Sequence, residues 1–244
     1  SMPPYEASQM PLSFFLKFFQ NHGLFKLKNR PQWYTVKNRS RTYVNKILNK
    51  ISGEHYKNYK INLIKRHKEN IEIFYGEKNE FFIYDKVVIA THADEALSIL
   101  ENPTDEEKNL LSNFKYKNNL AVIHTDKNQM PRNKKAWSAW NAKLSKNVRE
   151  NSSITYWLNL LQNLKIDEDI FLSLNPFDNI EEEKILNKVT FTHPYYDKLA
   201  LENQTRLKKI QNVNNTLFCG SYFGYGFHED GITSAIDMLK SFHD

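Results

Sequence analysis

The sequence predicts an α/β (α+β) fold with an inserted, mainly antiparallel sheet, and three observations predict it. Lys86-Val87-Val88-Ile89-Ala90 is a continuous apolar run, as in a buried parallel strand. It ends in the small polar loop Thr91-His92-Ala93-Asp94, followed by a helical stretch, Glu95–Leu100, that Asp94 is placed to cap. The same order recurs at the end of the chain. There the apolar run Thr216–Cys219 leads into a glycine-rich loop and then an amphipathic stretch from about Gly231 to Phe242. Between these two units, Leu120–His124, Ala136–Trp140, Ile154–Trp157, Ile170–Leu174 and Lys188–Thr192 read as strands joined by irregular loops, the pattern of an antiparallel sheet. Segments 32–102 and 200–244 thus group as one discontinuous domain, with 1–31 and 103–199 as the other. Ligands often bind where two such domains meet.

The remaining elements follow in order. Residues 11–22 read as a helix with Pro11 near its start and Gly23 just past its end. Leu12, Phe15, Leu16 and Phe19 share one face, which Phe14 and Phe18 widen. Two readings stand for so much phenylalanine: a helix buried on most sides, or a surface that touches lipid. Tyr43–Ile51 suggests a second helix. Strands follow at Ile61–Arg66, Ile71–Tyr75 and Phe81–Tyr84, with Gly76-Glu77-Lys78-Asn79 as the second turn. Thr104 and Glu107 form a capping box ahead of a helix. Residues 196–211 read as another helix. In the last helix Ile232, Ala235, Ile236 and Leu239 make one face, with Asp230 as N-cap.

The chain has 244 residues and a net charge of +6, yet its 34 Lys and Arg are scattered and form no block of like charge. Aromatic residues do not interleave with them as in a stacking groove, so no nucleic-acid partner is expected. Electrostatic binding to a polyanion, whether an anionic membrane touched peripherally or, more weakly, a nucleic acid, is the alternative that the charge leaves open. No apolar run approaches the roughly twenty residues that cross a bilayer. No basic segment leads into a cleavable apolar one, and Ser1-Met2 reads as a cloning scar ahead of a native start. Cys219 is the sole cysteine, which excludes an intramolecular disulfide and suggests a reducing, cytoplasmic setting. It ends an apolar strand and reads as a core residue. The eight histidines are dispersed, so no metal site is expected. Gly-x-Ser-x-Gly and His-Glu-x-x-His are absent.

Four of the seven glycines lie between Gly220 and Gly231, interleaved with Tyr222, Phe223, Tyr225 and Phe227 and followed by His228-Glu229-Asp230. Glycine concentrated in this way marks a backbone that turns tightly or comes close to another group. The loop is either an aromatic surface hinge or a wall against a flat, polar-edged cofactor.

These motifs carry a resemblance. The stretches Arg30–Val36, Ser40–Val44, Val87–Leu97, His124-Thr125-Asp126, Ala136–Asn141, Thr155–Gln162, Leu174-Asn175-Pro176, His193-Pro194 and above all Gly226-Phe227-His228-Glu229-Asp230-Gly231 occur in order along nearly the whole chain. The chain resembles bacterial FAD-dependent oxidoreductases of the flavin amine-oxidase fold, in particular the predicted NAD/FAD-binding proteins found beside cyclopropane-fatty-acid synthases. It departs from them twice. The Gly-x-Gly-x-x-Gly turn that holds the FAD pyrophosphate in the family is absent, so the chain looks like the family's C-terminal part. Asn38-Arg39 stands where the family usually has two glycines, and a left-handed Arg39 costs about 1–2 kcal/mol.

The resemblance implies FAD as the cofactor of the complete protein, with binding by this chain alone left open. It implies that 32–102 and 200–244 are a partial FAD-binding domain and that 1–31 and 103–199 bind substrate. By the same analogy Gly220-Ser221 contacts the ribityl and phosphate region. The helix start at Gly231-Ile232 then aims backbone N–H groups at the flavin's pyrimidine edge, where a helix N-terminus favours negative charge. Glu229 and Asp230 cap that helix or bond the ribityl chain, and Thr91 and His92 lie near the cofactor. His228 is a general base, a flavin contact or a structural histidine. Trp137, Trp140, Tyr156, Trp157 and Tyr225 either wall a substrate tunnel or belong to the core. The implied reaction is hydride transfer from an apolar or lipid-like substrate to flavin, with a missing N-terminal FAD-binding half as partner. The alternative is a cofactor-free module that binds an acyl group or small molecule and has lost redox activity.

Overall fold

The computed structural model describes residues 10–32, 34–77, 80–145 and 152–242. Ser1-Met2, Trp33 and the Lys78-Asn79 part of the expected turn lie outside the described residues. The chain divides into two compact units, one of 1–16 and 116–193 and the other of 17–115 and 194–244. Residues 17–31, 103–115 and 194–199, which the sequence reading groups with the insert, fall in the second unit.

The order of elements is α1 (Leu12–Asn21), α2 (Arg41–Leu48), β1 (Ile61–Arg66), β2 (Ile71–Tyr75), β3 (Glu80–Tyr84), β4 (Val87–Ile89), α3 (Ala93–Ile99), α4 (Asp105–Leu111) and β5 (Lys115–His124). Next come β6 (Trp140–Leu144), β7 (Ser152–Trp157), α5 (Leu158–Leu161), β8 (Phe171–Leu174), β9 (Ile185–Tyr195), α6 (Lys198–Gln204), β10 (Thr216–Phe218) and α7 (His228–Leu239). The mixture of helices with a largely antiparallel set of strands matches the fold class read from the sequence.

In α1 only Phe14 is buried, while Leu12, Phe15 and Leu16 of the expected stripe are exposed. The reading of a helix buried on most sides therefore fails. In the second unit β1, β2 and β3 form an antiparallel meander, with a bulge between Ile61 and Leu63. The Thr104 capping box forms as expected: its Oγ1 accepts from Glu107 N at 3.2 Å, and Glu107 Oε2 accepts from Thr104 N at 2.7 Å. The helix expected over 196–211 breaks into α6 and a 3-10 turn, Leu207–Ile210, whose Leu207 and Ile210 are buried. β4 and β10 pair in parallel, Val87 opposite Thr216 and Ile89 opposite Phe218. All of β10 is buried, and Leu217, Cys219 and Met238 form a core cluster behind it.

The first unit holds a five-stranded sheet in the order β6-β7-β8-β5-β9, antiparallel in its β6-β7-β8-β5 ladders. The strand expected at Ala136–Trp140 lies further on, at Trp140–Leu144, because local capping overrides the β propensity of Trp137. Asn133 Oδ1 accepts from Lys135 N at 3.0 Å and starts a 3-10 turn at Lys134–Ala136, and the Trp137 indole N–H is tied to Pro131 O at 2.7 Å.

The two faces of this sheet differ in an unexpected sense. Val122, His124, Ser153, Thr155, Phe171 and Ser173 point to the buried side. There His124 Nε2 lies 2.8 Å from Ser173 Oγ, which lies 2.7 Å from Thr155 Oγ1. The other face carries Ile123, Trp140, Ile154, Tyr156, Leu172 and Leu174, all half-buried or exposed. A buried polar chain backs an apolar face that the first unit does not fully cover.

Candidate functional site

The candidate site lies at the carboxyl ends of β4 and β10. Parallel strands that each run into a loop and then a helix bring two loops to one end of the sheet, where ligands of open α/β sheets bind. The ladder continues one residue past β10, since Cys219 N donates to Ile89 O at 3.2 Å. Gly220 follows at φ 156, ψ 167, a conformation open essentially to glycine. A Cβ there would sit 2.8 Å from the Tyr222 ring and 3.5 Å from the Thr91 carbonyl oxygen.

Gly220 N donates to Ser234 Oγ at 2.9 Å, and Ser234 Oγ donates to Gly231 O at 2.7 Å. This buried serine stitches the loop to the first turn of α7, and the sequence reading missed it. The signal was a polar residue three positions after Gly231, on the side of α7 that turns inward. Gln204 is a second missed residue: its Nε2 donates to Tyr222 O at 3.0 Å and Gly224 O at 2.5 Å.

α7 begins at His228, earlier than expected, and its N-cap is Phe227 rather than Asp230. Asp230 sits in the first turn, where its Oδ2 accepts from Phe227 N at 2.9 Å and its carboxylate fills the space beside Gly224. Gly231 N donates to Phe227 O at 3.1 Å, so the donors free of the helix ladder precede Gly231-Ile232 rather than starting there. Asp94 likewise lies inside the first turn of α3. His92 is that helix's N-cap, and its N–H donates to Glu95 Oε2 at 3.3 Å. Thr91 Oγ1 donates to His92 O at 3.1 Å.

His228 is exposed, and its Nδ1 lies 2.8 Å from Tyr43 Oη. Its contact is with a phenol, and among the described residues no carboxylate is bonded to the ring. Phe227 stacks on Phe18 with ring centroids 6.1 Å apart and lies 5.3 Å from the ring of His22. The Cys219 thiol is buried, and desolvation pushes its pKa up, so it is an inert core group. Thr91, His92, Gly220, Ser221, His228, Glu229, Asp230, Gly231 and Ile232 all belong to the second unit, where Gly220 faces the Thr91 carbonyl and Gly231 faces Ser221 N. Glu229 is exposed, as is Ile232. The space a Cβ would need is taken by Tyr222 of the loop at Gly220 and by Asp230 of the first turn of α7 at Gly224.

Of the expected substrate residues, Tyr225 lies in the second unit and the others lie in the first. Those others form two pairs on opposite faces of β7 rather than one wall. Trp140 and Tyr156 meet edge-on at 5.4 Å on the apolar face, where burial raises the Tyr156 phenol's pKa. Trp137 and Trp157 meet at 5.3 Å on the other side, with Trp137 5.5 Å from Phe171. Among the described residues no group of three or more His, Cys, Asp or Glu side chains is placed to hold a metal ion. No described helix is long and apolar enough to cross a membrane.

The fold is flavin amine-oxidase-like. Among solved structures, the chain is similar to a putative protoporphyrinogen oxidase from Exiguobacterium sp. 255-15, with a TM-score of 0.61 and 10% identity over 94% of this chain and 57% of that one. It is also similar to a CLA-producing fatty acid isomerase from P. acnes, with a TM-score of 0.58 and 14% identity over 84% of this chain and 52% of that one. A putrescine oxidase variant matches with a TM-score of 0.53 and 9% identity over 83% and 53%. At these identities the likeness is one of fold, and the chain spans a little over half the length of each neighbour. No family model and no curated protein matches the sequence.

Proposed function

We propose that this chain is the C-terminal portion of an FAD-dependent oxidoreductase that acts on an apolar, lipid-like substrate by hydride transfer to flavin. The observation that carries the reading is the convergence of Gly220-Ser221, Thr91-His92 and the exposed start of α7 at the ends of two parallel strands. When bound, FAD supplies the hydride acceptor. The Gly220-Ser221 backbone and the first N–H groups of α7 would hold its polar edge, with the helix offering about half a positive charge. Glu229 and Asp230 in that turn oppose a phosphate, so these residues fit a heteroaromatic edge better than a pyrophosphate. The pyrophosphate then falls to a partner, a missing N-terminal FAD-binding half.

The half-exposed face of Trp140, Tyr156, Leu172 and Leu174 supports an apolar substrate. The exposed Leu12, Phe15 and Leu16 of α1 suit peripheral membrane contact, and a single buried cysteine suits the cytoplasm. Mixed with a segment bearing the Gly-x-Gly-x-x-Gly turn, the chain should retain yellow flavin through gel filtration. A pair that stays colourless at saturating FAD overturns the reading.

The absence of that turn from all 244 residues favours a second reading, a cofactor-free acyl-binding module. That reading expects a fatty acid to raise the chain's unfolding midpoint without flavin, and it fails if no acyl compound does.

A further inference from the structure

Apart from the strand-end site, a cavity lies within the first unit, on the buried-face side of β6. It has a volume of about 900 Å³ and is bounded by the 127–134 loop, Trp137 and β6 residues 141–143. Among the described residues four cations line it: Lys127, Arg132, Lys134 and Lys143. Asp169, almost fully buried, accepts from both Lys127 and Lys134 at 3.2 Å, while its other oxygen accepts the Trp157 indole N–H at 3.0 Å. Lys143 pairs with Asp178. Arg132 has no ion-pair partner among the described residues. Among the described residues, four cations against two carboxylates leave two positive charges at the cavity.

The walls are not only charged. Lys134 Nζ lies over the rings of Trp137, at 5.0 Å, and Trp157, at 5.8 Å, and Met130 and Pro131 complete an apolar side. The loop is held in place before any ligand arrives. Asp126 Oδ1 accepts from Asn128 N, Gln129 Nε2 donates to Asn179 O, and the Trp137 indole is tied to Pro131 O. A preorganised cationic rim reduces the entropy lost on binding.

We propose that this cavity binds a phosphomonoester with a flat or aliphatic body. A phosphomonoester carries close to two negative charges at neutral pH, equal and opposite to the uncompensated pair. The Arg132 guanidinium can bond two phosphate oxygens at once, and the ester's organic body lies against Trp137 and Met130. Cavities of this size bury a small organic ligand rather than a bare ion. The site shares no residue with the strand-end site, so it stands whether or not the flavin reading does.

The test is titration calorimetry of the whole chain at pH 7.5 and low salt, with phenyl phosphate, inorganic phosphate and phenol as probes. Phenyl phosphate is expected to bind about tenfold more tightly than either fragment. The double variant Arg132→Gln/Lys143→Gln leaves the Asp169 lysines in place. It is expected to lose about tenfold in affinity for phenyl phosphate with its unfolding midpoint unchanged. Vesicles containing phosphatidic acid separate the two sources of such an ester. Displacement of phenyl phosphate by the vesicles assigns a lipid headgroup, and retained binding in their presence assigns a free ester. The proposal is overturned if phenyl phosphate does not bind, or if the double variant binds it as well as the parent does.

Discussion

Asparagine takes many of the backbone positions in this chain where glycine would be the common choice. Among the described residues the non-glycine positions at positive φ are Asn29, Asn38, Asn58, Asn163, Asn175, Asn212, Asn214, Asn215 and Arg39, so there arginine is the one exception to asparagine. A short amide tolerates the left-handed region through local hydrogen bonds, which a chain with seven glycines exploits. Asn38 at φ 62 and Arg39 at φ 69 adopt the conformation that two glycines would favour. Arg39 is exposed, so its strain is not offset by burial. Arg39→Gly is therefore expected to stabilise the chain by about 1 kcal/mol and Arg39→Ala to give no such gain, as read from urea unfolding midpoints.

His124 carries a second expectation at this scale. Its Nδ1 accepts from Asp126 N at 3.1 Å, which leaves Nε2 to donate to Ser173 Oγ. The neutral ring is therefore the one that fits. Burial lowers its pKa below the ordinary 6.5, although Asp126 pulls the other way. The unfolded chain binds the proton more readily, so stability is complete above about pH 6.5 and is lost as the pH falls through the folded value. The unfolding midpoint should drop between pH 7 and pH 5 in the parent, with a flatter slope in His124→Gln. Equal slopes would remove His124 as the cause.

At the scale of elements, what was legible in the sequence depended on whether the deciding contacts are local. Strands β1 and β2 and the Thr104–Glu107 box formed as read because alternation and capping act within a few residues. The strand before Trp140 was misplaced, since the Asn133 cap and the Trp137–Pro131 bond are side-chain choices that periodicity does not reveal. The start of α7 shifted for a similar reason, with Asp230 bonding back to Phe227 from inside the turn.

α7 also shows where pattern and burial part. Its apolar stripe of Ile232, Ile236 and Leu239 is 52%, 56% and 53% exposed, while Ser234 and Met238 face inward. Met238→Ala is thus expected to cost about 2–3 kcal/mol and Ile236→Ala less than about 0.5, measured by urea unfolding of the chain alone. A stripe left uncovered in this way fits the proposed N-terminal partner. Ile236→Asp should leave the chain's own stability nearly unchanged yet weaken retention of that half in gel filtration.

At the scale of the whole molecule, the sequence carried the fold resemblance and the two strand–loop–helix units, but not the long-range ties that hold the layers of the second unit together. The strongest of these joins β1 to α4. Arg66 grips Glu107 with both ends of its fork, at 2.6 and 2.9 Å, and also donates to Asn102 O at 2.6 Å. Both side chains are almost completely buried. Glu107 was legible only as the partner of Thr104, because Arg66 lies far away in sequence and nothing local announces the pair. A buried pair contributes little net stability over an apolar replacement, yet removing one charge leaves the other desolvated and unmatched. Glu107→Gln keeps an acceptor for the Thr104 N–H and removes only the charge, at an expected cost of about 3 kcal/mol. Thr104→Ala removes only the cap and should cost about 1 kcal/mol. Chemical unfolding of both variants separates the two roles of Glu107. Equal losses in the two variants would mean that the cap, not the buried charge pair, anchors α4 to the sheet.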